Sequence, residues 1–138
     1  MRNVVNLTAL GLSAAVLAAC VGLGKAPEKT SGAEDYANYC AACHGTSGKG
    51  DGEAAAGLAK KPADLSKLAA RNGGAFPTTK VMAQIWGYAG KKGEGIMPDF
   101  APLLVGDTVP YDGGDGIATP TPIRLVELAE YLKTLQVK

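Results

Sequence analysis

Imidazole is nearly missing from this chain: 138 residues include one His, three Cys, one Trp and few aromatics of any kind. A structural zinc site takes four ligands, mostly Cys and His, and outside residues 40–44 the chain offers only Cys20, so the ligand count argues against zinc. Three Cys cannot all pair internally, which excludes a pure disulfide framework. Neither sign of charge dominates, the formal net charge being +1, so the electrostatic footprint of a nucleic-acid binder is absent. No internal repeat and no convincing strand pattern is visible. Gly, Ala and Pro are abundant instead, which predicts short helices, much loop and a thin apolar core. A small chain of this kind leans on a disulfide, a metal or a cofactor.

The scarce residues are concentrated. "CAACHGTSGKGDG", residues 40–52, holds two of the three Cys and the single His. A thiol–disulfide redox pair is expected beside a βαβ pattern, and none is present. A chance cluster of small buried Cys would leave the adjacent His in need of a partner. The remaining reading of Cys-x-x-Cys-His is covalent haem attachment: each thiol adds to a haem vinyl group and the adjacent His ligates the iron. With one His, ligation by two imidazoles is impossible, and the sixth position falls to Met, another group, or nothing. Met1 is the initiator. Met82 lies in a helical pattern, where Met is most often core filler. Met97 sits in "GEGIMPDF", a loop able to wrap a flat cofactor and present a thioether sulfur, and is the favoured candidate.

The N-terminus reads as a targeting segment. Arg2 precedes a mostly apolar run from Val4 to Ala19. The ending Leu17-Ala18-Ala19-Cys20 resembles the lipobox of bacterial lipoproteins, which would remove residues 1–19 and lipidate Cys20. Cleavage by an ordinary signal peptidase and retention as an uncleaved anchor stay open, since Val4 to Leu23 is just long enough to span a bilayer. All three readings export the chain beyond residue 25, because Arg2 stays inside. Only lipidation gives Cys20 a use. Residues 20–30 read as a flexible tether, and 31–138 as one domain.

Within the domain, Ser31 and Glu34 form a capping-box signature, so a helix is expected from about Ala33 to Ala42. It would carry Cys40, Cys43 and His44 to one face. "PADLSKLAARNGG" predicts a short helix stopped at Gly73. Another opens at Pro77-Thr78-Thr79 and carries Val81, Ile85 and Tyr88. The last has Thr121 as cap, Pro122 in its first turn and a stripe of Leu125, Leu128, Leu132 and Leu135. The stretch 101–121 reads as one long loop, long enough to be functional or ordered in its own way.

These residues carry a resemblance. Gly32-x-x-x-Tyr36-x-x-x-Cys40-Ala41-Ala42-Cys43-His44-Gly45 is similar to the first helix and haem motif of the class I c-type cytochromes, small exported electron carriers. "GKGDG" at 48–52 and "PADLS" at 62–66 look like their following loops. Ile96-Met97-Pro98-x-Phe100 looks like their axial-Met loop, and "LAEYLKTL" at 128–135 like their last helix. The match covers roughly residues 31–136, and its order and spacing are specific. Loop 101–121 departs from it, being longer than the usual connection. The resemblance implies an all-α fold of three to five short helices around one covalent haem c, bound by Cys40 and Cys43, with His44 and Met97 on the iron. It implies a non-enzymatic one-electron carrier, on the periplasmic side of a bacterial membrane, serving respiratory or photosynthetic complexes. It also implies that His44 donates its other ring nitrogen to a backbone carbonyl, with Pro62 the candidate.

Trp86 and Arg71 are candidates to hold a haem propionate, against core packing for the one and an exposed helix end for the other. Lys and Arg outnumber acids over 45–97, and the reverse holds over 98–138. Lys49, Lys60, Lys61, Lys91 and Lys92 could form a basic ring that steers an acidic partner, or be scattered solvated lysines. "DGGDG" at 112–116 lacks the EF-hand pattern, so a Gly-rich turn is expected rather than a calcium site. Two other functions remain in view: a gas-binding or sensing haem protein with a labile Met97 bond and, more distantly, a thiol oxidoreductase.

Overall fold

A computed structural model of the chain describes residues 31–89 and 96–137. The signal segment 1–19, Cys20, the tether 20–30 and the lysines at 91 and 92 lie outside the described residues.

Ser31 starts the first helix. Glu34 N–H donates to Ser31 Oγ (3.3 Å) and Ser31 N–H donates to Glu34 Oε2 (2.7 Å), which satisfies two N-terminal donors at once. Helix α1 runs Gly32–Tyr39 and gives way at Cys40, whose φ of −117° departs from helical geometry. Helix α2 follows at Ala41–His44. The single helix expected over 33–42 is therefore two segments. His44 N–H still bonds Cys40 O at 2.9 Å, so helical spacing survives the break.

A 3-10 turn at Glu53–Gly57 and a second at Leu65–Lys67 lead into α3, Leu68–Arg71. Helix α4 spans Thr78–Trp86 and ends where Gly87 turns left-handed (φ 88°). Tyr88, expected on its apolar face, lies beyond the end and is exposed. Helix α5 is Ala101–Leu104 and α6 is Ile123–Thr134.

The stretch expected to be one loop holds two strands, β1 Thr108–Tyr111 and β2 Thr119–Pro122, paired antiparallel. The fold is thus largely helical but not all-α, with six short α segments among the described residues rather than three to five. The hairpin also moves the start of the last helix. Thr121 belongs to β2 and caps nothing; Pro122 precedes α6, and Ile123 N–H donates to Asp107 O at 2.9 Å. No helix among the described residues is long and apolar enough to cross a membrane.

The core forms where α1 meets α6 and α4 packs against α6. Tyr36, Met82, Ile85, Leu104, Leu125, Leu128, Ala129 and Leu132 are buried together. Gly32 lies directly on the backbone of Glu127, and a Cβ at that position would overlap the carbonyl. Only Gly lets the two helices approach so closely. Beside the crossing, Asp35 is fully buried and accepts from Arg124 Nε (3.0 Å) and from a second Arg124 nitrogen. The C-terminal residues fasten the middle of the chain. Gln136 Nε2 donates to Leu65 O (2.8 Å), Ala69 N–H to Gln136 Oε1 (2.9 Å), and Val137 N–H to Ser66 O (2.9 Å).

Candidate functional site

Tyr36 on α1 is buried, and its hydroxyl donates to Gly45 O at 2.6 Å, just past the end of α2. Burial raises its pKa to about 12, so it remains a donor throughout the physiological range. Gly50 N–H reaches back to His44 O (2.8 Å), and Gly52 N–H to Cys43 O (3.2 Å). Gly50 has φ +73° and lies against the carbonyl of Pro62, so the Gly-rich loop folds under α2 and brings in the segment 60–63.

That segment orients His44. Nδ1 lies 3.0 Å from Ala63 O. A carbonyl can only accept, so Nδ1 carries the proton and Nε2 is the nitrogen left to ligate. The expected acceptor, Pro62, is the wrong residue by one: its carbonyl is turned to Gly50.

Cys40, Cys43, His44 and Met97 line a single cavity of about 510 Å³. Leu58, Pro62, Ile96 and Phe100 make its walls apolar, and Lys60 and Lys61 stand on it as the charged residues. Cys40 and Cys43 are not joined to each other. Burial, followed by the charge of Asp35, pushes the Cys40 thiol up to about 11. A redox-active thiol needs the opposite, a depressed pKa, so Cys40 is ill suited to be the attacking thiol of an exchange pair.

The two methionines separate. Met82 is core and lines a different cavity, between α4 and the hairpin. Met97 packs partly against the core, and its Sδ receives the side-chain amide of Gln84 at 3.9 Å. Gln84 was not visible as a site residue in the sequence, because the contact depends on how the 96–100 loop returns to α4. Phe100 N–H fixes that return by donating to Ile85 O at 3.0 Å.

Trp86 and Arg71 do not reach the cavity walls. Trp86 packs against the core and faces the second cavity. Arg71 is exposed and bonds the Asp64 carbonyl. At 112–116, Asp112 Oδ1 accepts from the N–H groups of Gly114 (2.8 Å), Asp115 (3.1 Å) and Gly116 (3.0 Å), which makes a self-closed turn. No cluster of three or more His, Cys, Asp or Glu suited to a metal ion occurs among the described residues.

Short helices closed on an apolar cavity that gathers both thiols of Cys-x-x-Cys-His define a class of protein: this is a c-type cytochrome domain. Residues 27–109, more than half of the chain, match the family described as cytochrome c oxidase, cbb3-type, subunit III, and the chain belongs to that family. Membership brings haem c, iron and haem-based electron transfer. No curated protein and no solved structure matches the chain.

Proposed function

We propose that the chain is an exported, membrane-tethered one-electron carrier of the class I type. One haem c is joined through Cys40 and Cys43, and its iron is held by His44 and Met97. The observation that carries this reading is the shared cavity: two thiols, one imidazole and one thioether converge on a space otherwise walled by Leu58, Ile96 and Phe100. The residues fit the group. The volume lies within the range of cofactor pockets, roughly 300–1,000 Å³, and the wall is predominantly apolar. The donor set is that of c-type ligation.

Bound there, haem c supplies a one-electron couple. The chain's residues set the conditions for it. The Ala63 carbonyl holds the His44 ring and fixes its tautomer. Gln84 and the core hold Met97. A thioether is a soft ligand and favours a higher potential than a second imidazole would. Apolar walls exclude water and disfavour added positive charge, which acts in the same direction. Anchored on both sides by packed residues, the ligands need not move when an electron arrives. The family description supports a place beside respiratory complexes.

The leader 1–19, lipid on Cys20, the tether 20–30 and a domain over 31–138 complete the proposal. Mass spectrometry of the mature N-terminus tests them. For the site, the purified protein is extracted with acid acetone. Colour that stays with the polypeptide, and is lost in Cys40→Ser/Cys43→Ser, is the expected outcome. Colour that leaves with the solvent overturns covalent attachment. Rapid carbon monoxide binding to the reduced protein at neutral pH would show Met97 to be labile and favour a gas-binding role.

A further inference from the structure

The second cavity, of about 420 Å³, opens between α4 and the hairpin. Met82, Ala83 and Trp86 of α4 form one wall and Ile117 and Pro120 of the hairpin the other, with Tyr88 at the helix end. Tyr88 is 78% exposed and Ile117 64% exposed. Two large exposed side chains on one apolar opening are more than the scattered residues of an ordinary surface.

The hairpin side of the rim is acidic: Asp115 is the charged residue on the lining, and Asp112 belongs to the same turn. Hydrogen bonds from the Gly114 and Gly116 amides hold the Asp112 carboxyl below the usual carboxylate range, so it stays charged. Lys133, which reaches Tyr111 on the cavity wall, is engaged by Glu130 at 2.7 Å. The hairpin wall is also preformed. Its turn is closed on Asp112, and Thr79 Oγ1 donates to Gly113 O at 3.4 Å, so little ordering remains for a partner to impose.

We infer that this face docks a basic segment of a partner protein, with Lys or Arg flanking an aliphatic or aromatic side chain that enters the cavity. Anionic membrane surfaces and nucleic acid are repelled by the same rim. Most of the hairpin lies beyond the residues matched to the family, which end at 109. The face is distinct from the cavity that carries Lys60 and Lys61, so a partner could be held here while the other cavity stays open to a redox reaction. The inference does not depend on which groups ligate iron.

The test uses reduced, isotope-labelled holoprotein. Trp86 is the only Trp of the chain, so its indole N–H resonance is a single reporter on the cavity wall. The probe is acetyl-Lys-Leu-Lys-Leu-Lys-amide, with acetyl-Glu-Leu-Glu-Leu-Glu-amide as control. The basic peptide should move the Trp86 resonance and amides within 79–88 and 111–121 in a saturable way, and the acidic peptide should not. The shift should be lost in Tyr88→Ser/Ile117→Ser, which changes only exposed side chains, and weakened in Asp115→Asn. Asn keeps the oxygen that accepts from Ile117 N–H and removes the charge. No response to the basic peptide, an equal response to both peptides, or an unchanged response in the variants overturns the inference. A Trp86 shift that follows protein concentration without peptide assigns the face to a second copy, and also overturns it.

Discussion

Gln84 gives the site a residue whose effect can be measured apart from assembly. Its amide N–H points to the Met97 sulfur at 3.9 Å, and a donor there draws electron density from the lone pairs. With Met97 on the iron, as proposed above, a poorer donor sulfur would support the more positive oxidation state less well, so the contact would raise the midpoint potential. Gln84→Leu should therefore lower the potential in a spectroelectrochemical titration while the ligand bands are retained. A potential unchanged or higher refutes the contact. Arg124 is the structural counterpart. It supplies the pairing nitrogens to the fully buried Asp35 and also bonds the Leu103 carbonyl. Arg124→Leu strands that carboxylate and should lower unfolding stability by about 3 kcal/mol or more in urea titration. The double variant Asp35→Leu/Arg124→Leu should recover much of the loss, because the cost lies in the orphaned charge. Residues acting through neighbours in sequence were legible in this way: Cys-x-x-Cys-His and the Ser31–Glu34 box state their chemistry by spacing alone. Gln84, the Ala63 carbonyl and the Asp35–Arg124 pair were not, because each partner is supplied by another part of the folded chain.

At the scale of elements, the hairpin explains most of what the sequence concealed. Pro110, Pro120 and Pro122 argue against strands, since each lacks a ladder donor. The register resolves the conflict. Pro110 faces Pro120 and Pro122 faces Thr108, while Val109 faces Thr121 and Tyr111 faces Thr119. Antiparallel pairs alternate between bonded and non-bonded, so all three prolines fall on non-bonded pairs and the ladder runs through the others. A two-stranded hairpin consists of edges only, which is where Pro is tolerated. The helices were easier to find because capping and apolar spacing are local, although the break at Cys40 and the start of α6 were displaced by tertiary contacts. The hairpin turn also carries a pH dependence. Hydrogen bonds from Gly114 and Gly116 depress the Asp112 pKa, and those from Lys133 and Tyr111 depress the Glu130 pKa. A depressed carboxyl contributes in full above its unfolded value, about 4, and the contribution fades as pH falls through the lower folded value. Amide exchange at Gly114 and Gly116, corrected for intrinsic rates, should quicken below about pH 4. Asp112→Ala should exchange quickly at every pH, and a wild-type turn indifferent to acid contradicts this account.

For the molecule as a whole, charge is unevenly placed although it nearly balances. Lys60 and Lys61 stand on the proposed haem cavity, whereas Asp112 and Asp115 lie in the hairpin turn. Such a separation orients an approaching partner at long range. The rate of electron transfer to the anionic oxidant ferricyanide should fall as ionic strength rises from about 0.01 M to about 0.15 M, the span over which the screening length shortens several-fold. Lys60→Glu/Lys61→Glu should flatten or invert that dependence, and a flat profile for the unaltered protein removes steering.

The meeting of α1 with α6 has a consequence for biogenesis. Gly32 and Glu127 touch across more than ninety positions of chain. A polypeptide made or threaded N-terminus first therefore exposes Cys40, Cys43 and His44 well before the helix that closes over α1 has arrived. Through that interval the segment proposed to take the haem is held by local bonds alone, such as His44 N–H to Cys40 O. Arrival of residues 123–134 ends the interval by packing against α1, so the order of the sequence decides how long that helix stays uncovered.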